Sequence, residues 1–557
     1  MISKPWLSSY DRAVPATAEY PDLLIHQLFE KAAGRFPDHT ALNFFGHVIS
    51  YRELQELIER FAGALQSLGI QPRDRVILFL PNTPHMVISF YAALSIGAIV
   101  VPTNPLYTEK ELEFQIRDAG AETLITLDLL YARVNSIQSR TPLKRTIVGK
   151  IEDYLPPLKK ILFPIISKRG VDVPAIEENE QLFLFQHLLR NKTAPLVTPD
   201  TNPGDIALLQ YTGGTTGISK GAMLSHRNIV VNNAQMRHWY FVAREGQETF
   251  ISVLPFFHSY GMAAAMSLPL SLGAALILMP RYVPKDILKA IEHYKATFFP
   301  GIPAIYSSLN AYKDIKKYDV SSVSYCISGS APLPDTVLND FERLTGGIII
   351  EGYGLTEASP VTHCNAIGKR KIGSIGLPVP DTDCKIVDIE TGQEVPPGEE
   401  GELCIRGPQL MQGYWQRPEE TAQVIRDGWL YTGDIARMDD EGFFYIVERK
   451  KDMIISEGYN VYPREIDEFL MTHPSVRDAA VIGVPDELRG EKVIAYVILR
   501  EGCSATQEEI IKYCRDNLAK YKIPKKIIFK DELPKTMAGK VLRRVLREEE
   551  YNTADSN

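Results

Sequence analysis

The stretch Tyr211-Thr-Gly-Gly-Thr-Thr-Gly-Ile-Ser-Lys220-Gly221 holds the densest chemistry in the chain. A strand-like run, Asp205–Gln210, leads into it. Glycine adopts positive φ at little cost and lets successive backbone N–H groups turn inward as an anion nest. The hydroxyls can donate to phosphate oxygens, and Lys220 adds a cation. Flexible linkers seldom concentrate such donors beside a lysine. The loop is not a Walker motif, which needs GxxxxGK followed by Ser or Thr, whereas Gly221 follows Lys220 here. A different phosphate chemistry is implied, carried on a strand–loop unit.

Outward from that loop, helix-period segments alternate with short β-branched runs. Tyr51–Leu68 places Leu54, Leu57, Ile58, Phe61 and Leu65 at the three-four spacing of an amphipathic helix. Arg75–Leu80 and Ala98–Val101 read as buried strands, with a helix between them opened by Pro84 and closed near Gly97. Such alternation predicts an α/β fold around a largely parallel sheet. Between 370 and 448 the texture changes to short runs such as Lys385–Val387, Gly401–Arg406 and Gly442–Glu448, a β-rich pattern. After Lys451 a compact α+β pattern follows: a helix opened by Pro463, strands at Ala479–Val484 and Val493–Leu499, and a helix at Gln507–Leu518. A small C-terminal domain of about 110 residues fits the usual domain range. The charged run Glu448-Arg449-Lys450-Lys451-Asp452 is its natural hinge.

The bulk properties agree. A chain of 557 residues suggests roughly two to four core-forming units. At 45% hydrophobic and 23% charged it has material for a sizeable core. A net charge of −8 argues against a nucleic-acid partner, which calls for a basic face. Cys326, Cys364, Cys384, Cys404, Cys503 and Cys514 form no CxxC pair, so a reduced, cytoplasmic protein is expected. The N-terminus shows no signal peptide. Two uncharged stretches, Met86–Val101 and Thr249–Pro280, bear on membrane insertion. The first is short and the second is broken by Pro255, Gly261, Pro269 and Gly273, which favours buried strands and helices over a span. Leu158–Arg169 brackets apolar residues with four cations, a pattern suited equally to peripheral contact with the inner membrane surface or to an ordinary surface helix.

The glycine-rich stretch resembles the signature loop of the adenylate-forming superfamily: acyl- and aryl-CoA synthetases, luciferases and the adenylation domains of peptide synthetases. The resemblance runs from about residue 24 to about 548 and recurs in several motifs, closest to bacterial long-chain fatty-acid–CoA ligases. It implies a large multi-subdomain N-terminal domain (1–448), with αβαβα layers plus a small β-rich subdomain, binding ATP and the acyl substrate. A small mobile α+β domain (449–557) would carry the catalytic lysine. Within the signature loop, Thr212, Gly213, Gly214, Thr215, Thr216, Gly217, Ser219 and Lys220 would hold phosphate, Lys220 also serving catalysis. Tyr353-Gly354-Leu355-Thr356-Glu357 resembles the aromatic motif, in which the tyrosine lies against adenine, the threonine contacts the α-phosphate and the glutamate helps hold Mg²⁺ with Thr216, and Glu351 and Gly352 just before it would join the nucleotide site. A flat ring, a hydroxyl donor and a hard oxygen ligand suit those tasks. Gly329, Ser330, Ala331 and Pro332 would wall the adenine pocket. Asp434 would accept both ribose hydroxyls, as a carboxylate can, and Arg449 would reach ribose or phosphate. Lys540, in Pro534-Lys-Thr-Met-Ala-Gly-Lys540, would neutralise charge developing at the α-phosphate. ATP, Mg²⁺ and coenzyme A are the implied cofactors and cosubstrate.

Val253-Leu-Pro-Phe-Phe-His258-Ser-Tyr260-Gly261 resembles the family segment beside the substrate carboxylate. His258, Tyr260, Gly261, Gly301 and Gly329 are the implied acyl-site residues. No acid stands between Thr249 and Pro280 to grip an amino group. An apolar tunnel favours fatty acids, because each buried CH₂ gains about 0.8 kcal/mol. The expected reaction is therefore ATP-dependent activation of a medium- to long-chain fatty acid as an acyl adenylate and transfer to CoA, releasing AMP and pyrophosphate. An aryl-acid–CoA ligase, and a fatty-acyl-AMP ligase loading a carrier protein, stay open as alternatives. So do chain length and oligomeric state. Two positions depart from the common family pattern: Glu448 stands where the hinge acid is usually aspartate, and Glu457, beside the expected CoA-tunnel residue Gly458, replaces a small residue.

Overall fold

A computed structural model describes residues 4–157, 159–160, 176–191, 196–212, 219–456, 459–486, 490–518, 520–536 and 541–554. Gly213, Gly214, Thr215, Thr216 and Gly217 of the glycine-rich loop, Glu457, Gly458, Lys540 and most of Leu158–Arg169 lie outside the described residues.

The helix expected from the apolar spacing at Leu54 and Phe61 runs Tyr51–Ser67. It starts where Ser50 and Glu53 cap each other: the Glu53 N–H donates to Ser50 Oγ, and Glu53 accepts from the Ser50 N–H at 2.8 Å. Its buried stripe packs against the helix Pro84–Ser95, every residue of which is buried. That helix and the strand Ile99–Pro102 account for the uncharged stretch Met86–Val101. The longer stretch, Thr249–Pro280, breaks at its prolines and glycines as expected. It gives the strand Thr249–Ser252, the short helix Ser259–Met262, a π-helical turn at Ala263–Ser267, the helix Leu268–Ser271 and the strand Ala275–Leu278. Among the described residues no helix is long and apolar enough to cross a membrane.

Two large sheets form the core of the N-terminal region. One has seven strands, all parallel except the last pair, Ile206–Thr212 and Lys220–Ser225, which is antiparallel. The two strands hold the glycine-rich loop between them, and Thr212 pairs directly with Lys220. The other has nine strands, with a parallel centre that includes Phe298–Gly301, Tyr325–Ser328 and Ile348–Gly354. Their register aligns Gly301 with Ser328 and Ser328 with Glu351, so the turns that follow emerge together at the carboxyl ends. That edge is where open α/β sheets bind ligands. The β-rich stretch folds as a third sheet, with Asp383–Val387, Gly401–Arg406, Trp429–Met438 and Phe444–Arg449 antiparallel.

The C-terminal segment builds its own five-stranded sheet and its own core around Ile454, Ile466, Val481, Val493 and Ile510. Its first helix, Pro463–Met471, is capped from the hinge: the Arg464 N–H donates to Glu448 Oε2 at 2.6 Å, while Glu448 Oε1 accepts from the Arg449 N–H at 2.8 Å. Glutamate at this hinge position thus serves the helix N-terminus, where a carboxylate is favoured. Inside the small domain, Asp467 is buried, accepts from the Val481 N–H at 2.6 Å, and is paired with Arg543. Burial pushes its carboxyl up to about 7 against the opposing pull of Arg543. Removing the guanidinium leaves that carboxylate buried without its partner. Arg543→Ala should therefore lower the stability of the small domain by about 3 kcal/mol, read as earlier unfolding in urea; a midpoint equal to wild type would refute the pairing's importance.

Candidate active site

The carboxyl ends of the two large sheets, the β-rich sheet and the hinge meet around one cavity of about 730 Å³. Its polar half is lined by Thr212 and Lys220 from the glycine-rich hairpin, Gly329 and Ser330 after the strand Tyr325–Ser328, and Gly352 to Glu357. Thr432 and Gly433 from the β-rich sheet and Arg449, Lys450 and Lys451 from the hinge complete it. Close packing explains several glycines. A Cβ on Gly354 would sit 2.0 Å from the Pro360 carbonyl, and one on Gly261 would sit 2.1 Å from the Pro255 carbonyl. Gly329 lies against the Tyr260 ring, whose hydroxyl donates to the Ile327 carbonyl at 2.8 Å and reaches the Gly301 carbonyl at 3.2 Å.

Asp434 is buried at 2% exposure and ties the aromatic motif to the hinge. Arg449 Nε lies 2.6 Å from Asp434 Oδ1, and the Tyr353 hydroxyl donates to Oδ2 at 2.5 Å. Burial holds the Tyr353 phenol far above its ordinary value, so it stays a neutral donor. A carboxylate offers about four lone-pair sites, so Asp434 keeps acceptor capacity for further hydroxyls. Thr356 stands beside the acyl-site segment, its hydroxyl 3.3 Å from that of Ser259.

Glu357 faces the same half. Its Oε1 accepts from the Tyr414 hydroxyl at 2.7 Å, and Lys220 Nζ lies 5.2 Å from the centre of the Tyr414 ring. Tyr414 thus joins an anion and a cation across one ring. Magnesium commonly takes one or two protein carboxylates and completes its shell with water and substrate phosphates. A single carboxylate at the cavity edge, its second oxygen with no hydrogen bond among the described residues, fits an ion that arrives with a nucleotide.

The other half is a branch lined by Ile229, Met236, Tyr240, Phe257, Ala263, Ala264 and Leu268, with Asn232, Asn233 and Ser267 among them. His258 lines its mouth, and its Nδ1 accepts from the Tyr260 N–H at 3.3 Å. Desolvation by the surrounding cavity walls lowers the His258 pKa, so the ring is neutral at neutral pH and suits an apolar passage.

Of the residues expected from sequence, Thr212, Lys220, His258, Tyr260, Gly329, Ser330, Gly352, Tyr353, Gly354, Thr356, Glu357 and Arg449 line this one cavity. Ser219, Gly261, Gly301, Ala331, Pro332, Glu351 and Asp434 do not line it. Ser219 donates to the Thr212 carbonyl at 2.6 Å and closes the hairpin base. Glu351 accepts from the Leu333 N–H at 3.0 Å, which holds the turn that carries Gly329 and Ser330. Sequence reading missed Tyr414, Lys450 and Lys451 and the cavity face of the helix His226–Trp239. The only trace of that face is a spacing of three and four between Ile229, Asn232, Asn233 and Met236, which any buried helix shows.

Comparison with known proteins shows the family. The AMP-binding enzyme family matches residues 29–415, and the AMP-binding enzyme C-terminal domain matches 465–540. The chain belongs to the AMP-binding enzyme family. Among its relatives, a long-chain-fatty-acid–CoA ligase of Bacillus subtilis (strain 168) is 46% identical over 550 residues, 98% of each chain. The anthranilate CoA ligase AuaEII, solved in complex with anthranoyl-AMP, superimposes with a TM-score of 0.84 at 28% identity, over 97% of this chain and 100% of that one. ATP-bound MatB from Rhodopseudomonas palustris superimposes with a TM-score of 0.81 at 30% identity, over 95% and 99%.

Two outcomes are expected of this AMP-binding enzyme. Tyr414→Phe removes one hydrogen bond to a charged group and should raise the Mg²⁺ concentration needed for half-maximal ATP binding about tenfold; an unchanged Mg²⁺ titration would refute the Tyr414–Glu357 link. Burial pushes Glu351 up to about 7 from its ordinary 4.5. Folding then favours its protonated form, so its contribution to stability is full below 4.5 and is lost as pH rises through about 7. Glu351→Gln should flatten that part of the melting-temperature profile; a slope identical to wild type would count against it.

Proposed function

We propose that this enzyme converts a medium- to long-chain fatty acid to its acyl-CoA, through an acyl adenylate, at the cost of ATP. The observation that carries the reading is the two-sided cavity, polar where it meets the glycine-rich hairpin and apolar along the helix His226–Trp239. Its acidic lining residues among those described are Glu357 and Glu402, both on the polar side, so the branch offers no carboxylate for an amino group. The curated relatives named as long-chain-fatty-acid–CoA ligases support the same substrate class.

In the first half-reaction a carboxylate oxygen attacks the α-phosphorus of ATP. The bond to the β-phosphate breaks and pyrophosphate leaves. Lys220 and the glycine-rich loop hold the phosphates, Thr356 contacts the α-phosphate, and Tyr353 seats the adenosine, with Asp434 fixing the Tyr353 hydroxyl from behind. Glu357 and Thr216 would hold magnesium, which supplies charge neutralisation at the phosphate oxygens. Thr536 lines the cavity, which supports a catalytic part for the nearby Lys540, itself outside the described residues. Its ammonium stabilises the negative charge that builds on the transferring group. In the second half-reaction the CoA thiol attacks the acyl carbonyl, the anhydride bond breaks and AMP leaves. Reorientation of the small domain, residues 449–557, about the hinge withdraws Lys540 and admits the thiol. A cytoplasmic enzyme working beside the inner membrane surface suits a lipid substrate, and the cation-flanked stretch Leu158–Arg169 supports that placement.

Product formation from C8, C12, C16 and C18 acids and a cinnamate, with and without CoA, tests the reading. Acyl-CoA and AMP from the long acids are expected, and Lys540→Ala should slow adenylate formation about a hundredfold or more. Adenylate that forms but never passes to CoA would overturn the ligase reading in favour of carrier loading. Preference for the cinnamate would overturn the fatty-acid reading.

A further inference from the structure

A second cavity, about 440 Å³, lies behind the helix His226–Trp239. Leu23, Leu28, Ala32, Val230 and Ser271 line it, and it opens to the surface among the exposed charged residues Glu19, Lys31, Arg35 and Arg237. Asn233 lines this cavity and also the apolar branch of the active-site cavity. Its amide is therefore a shared wall. Asn233 Nδ2 donates to Ser267 Oγ at 2.9 Å, and Ser267 faces the active-site side. The Ser271 hydroxyl, on the far side, lies 3.1 Å from Asn233 Oδ1 and 2.7 Å from the Leu268 carbonyl, so its one proton is shared. Asn233 and Ser267 are buried, at 8% and 4% exposure.

We propose that Asn233 sets the acyl chain length: the alkyl chain ends against the Asn233–Ser267 pair, and longer chains must displace this amide to enter the second cavity. The inference rests on the fatty-acid reading above. The physical reason is a mismatch of chemistry. The branch is mostly apolar, and its other amide, Asn232, is turned to the Val361 carbonyl, so each methylene gains by entering until it meets a buried amide already satisfied by two hydroxyls. Passing it strands the hydroxyl and amide unless the gain beyond compensates, and roughly two or three further buried methylenes do so. The stop is a threshold, soft on its Ser271 side because that proton is divided. Ser267 closes the π-helical turn Ala263–Ser267, an irregularity often found at functional sites.

The test is the ratio of kcat/KM for C18 to that for C12, measured within each variant so that overall losses cancel. Asn233→Ala joins the two cavities and should raise the ratio about tenfold. Asn233→Phe thickens the wall and should lower it by a similar factor. Ser271→Ala, which alters the far side alone, should raise it less than Asn233→Ala. It carries the test if Asn233→Ala fails to give folded protein by thermal melt. Ratios equal to wild type in the folded variants would overturn the proposal while leaving the fatty-acid reading intact. A wild-type enzyme that activates no alkyl acid would overturn both.

Discussion

The buried carboxylate of Asp434 is the contact on which the site's architecture depends. It lies in the β-rich sheet, yet one oxygen is bound by Tyr353 from the nine-stranded sheet and the other by Arg449 at the hinge. A buried charge is tolerated only when paired and hydrogen-bonded. Meeting that requirement draws three separate parts of the chain to one point. Strand register reinforces it, since Asp434 and Arg449 are also direct cross-strand partners. The Lys450 N–H then donates to the Gly433 carbonyl at 2.9 Å, so the first hinge residues stay bound to the large domain.

A second electrostatic unit stands across the cavity. Tyr414 donates to Glu357 and lies under Lys220, which couples the strand that ends the glycine-rich hairpin to the acid of the aromatic motif. Its backbone belongs to the same arrangement, through a bridge to Ala222 and an N–H donated to Thr421 Oγ1 at 2.9 Å. The nucleotide side is thus built from charges that hold each other at fixed distances before any ligand binds. Preorganised charge of this kind needs no reorganisation during reaction. The acyl side is governed by the opposite principle, apolar area with few polar groups, of which the Asn233–Ser267 pair marks its end.

Local patterns account for much of this protein. The apolar spacing at Tyr51–Ser67, the Ser50–Glu53 cap and the breaks at Pro269 and Gly273 are short-range effects, readable wherever neighbours along the chain decide the outcome. The motif residues were legible for a related reason. Their resemblance to the adenylate-forming superfamily singles out short runs, and Thr212, Lys220 and Tyr353 to Glu357 line one cavity. What each motif residue faces was not legible. Glu351 stands just before the aromatic motif, but its carboxylate holds the backbone of Leu333 and does not line the cavity.

From sequence alone came the α/β class, the small C-terminal domain and, through family resemblance, the motif residues, because periodicity and motif chemistry act over a few positions. Tertiary structure alone decided that Tyr414 meets Glu357 across 57 positions, that Glu448 caps the helix opened by Pro463, and that Asn233 divides two cavities. Those contacts depend on strand register and helix packing between distant segments. No local spacing encodes them, since a lone tyrosine or a buried asparagine reads the same in any core.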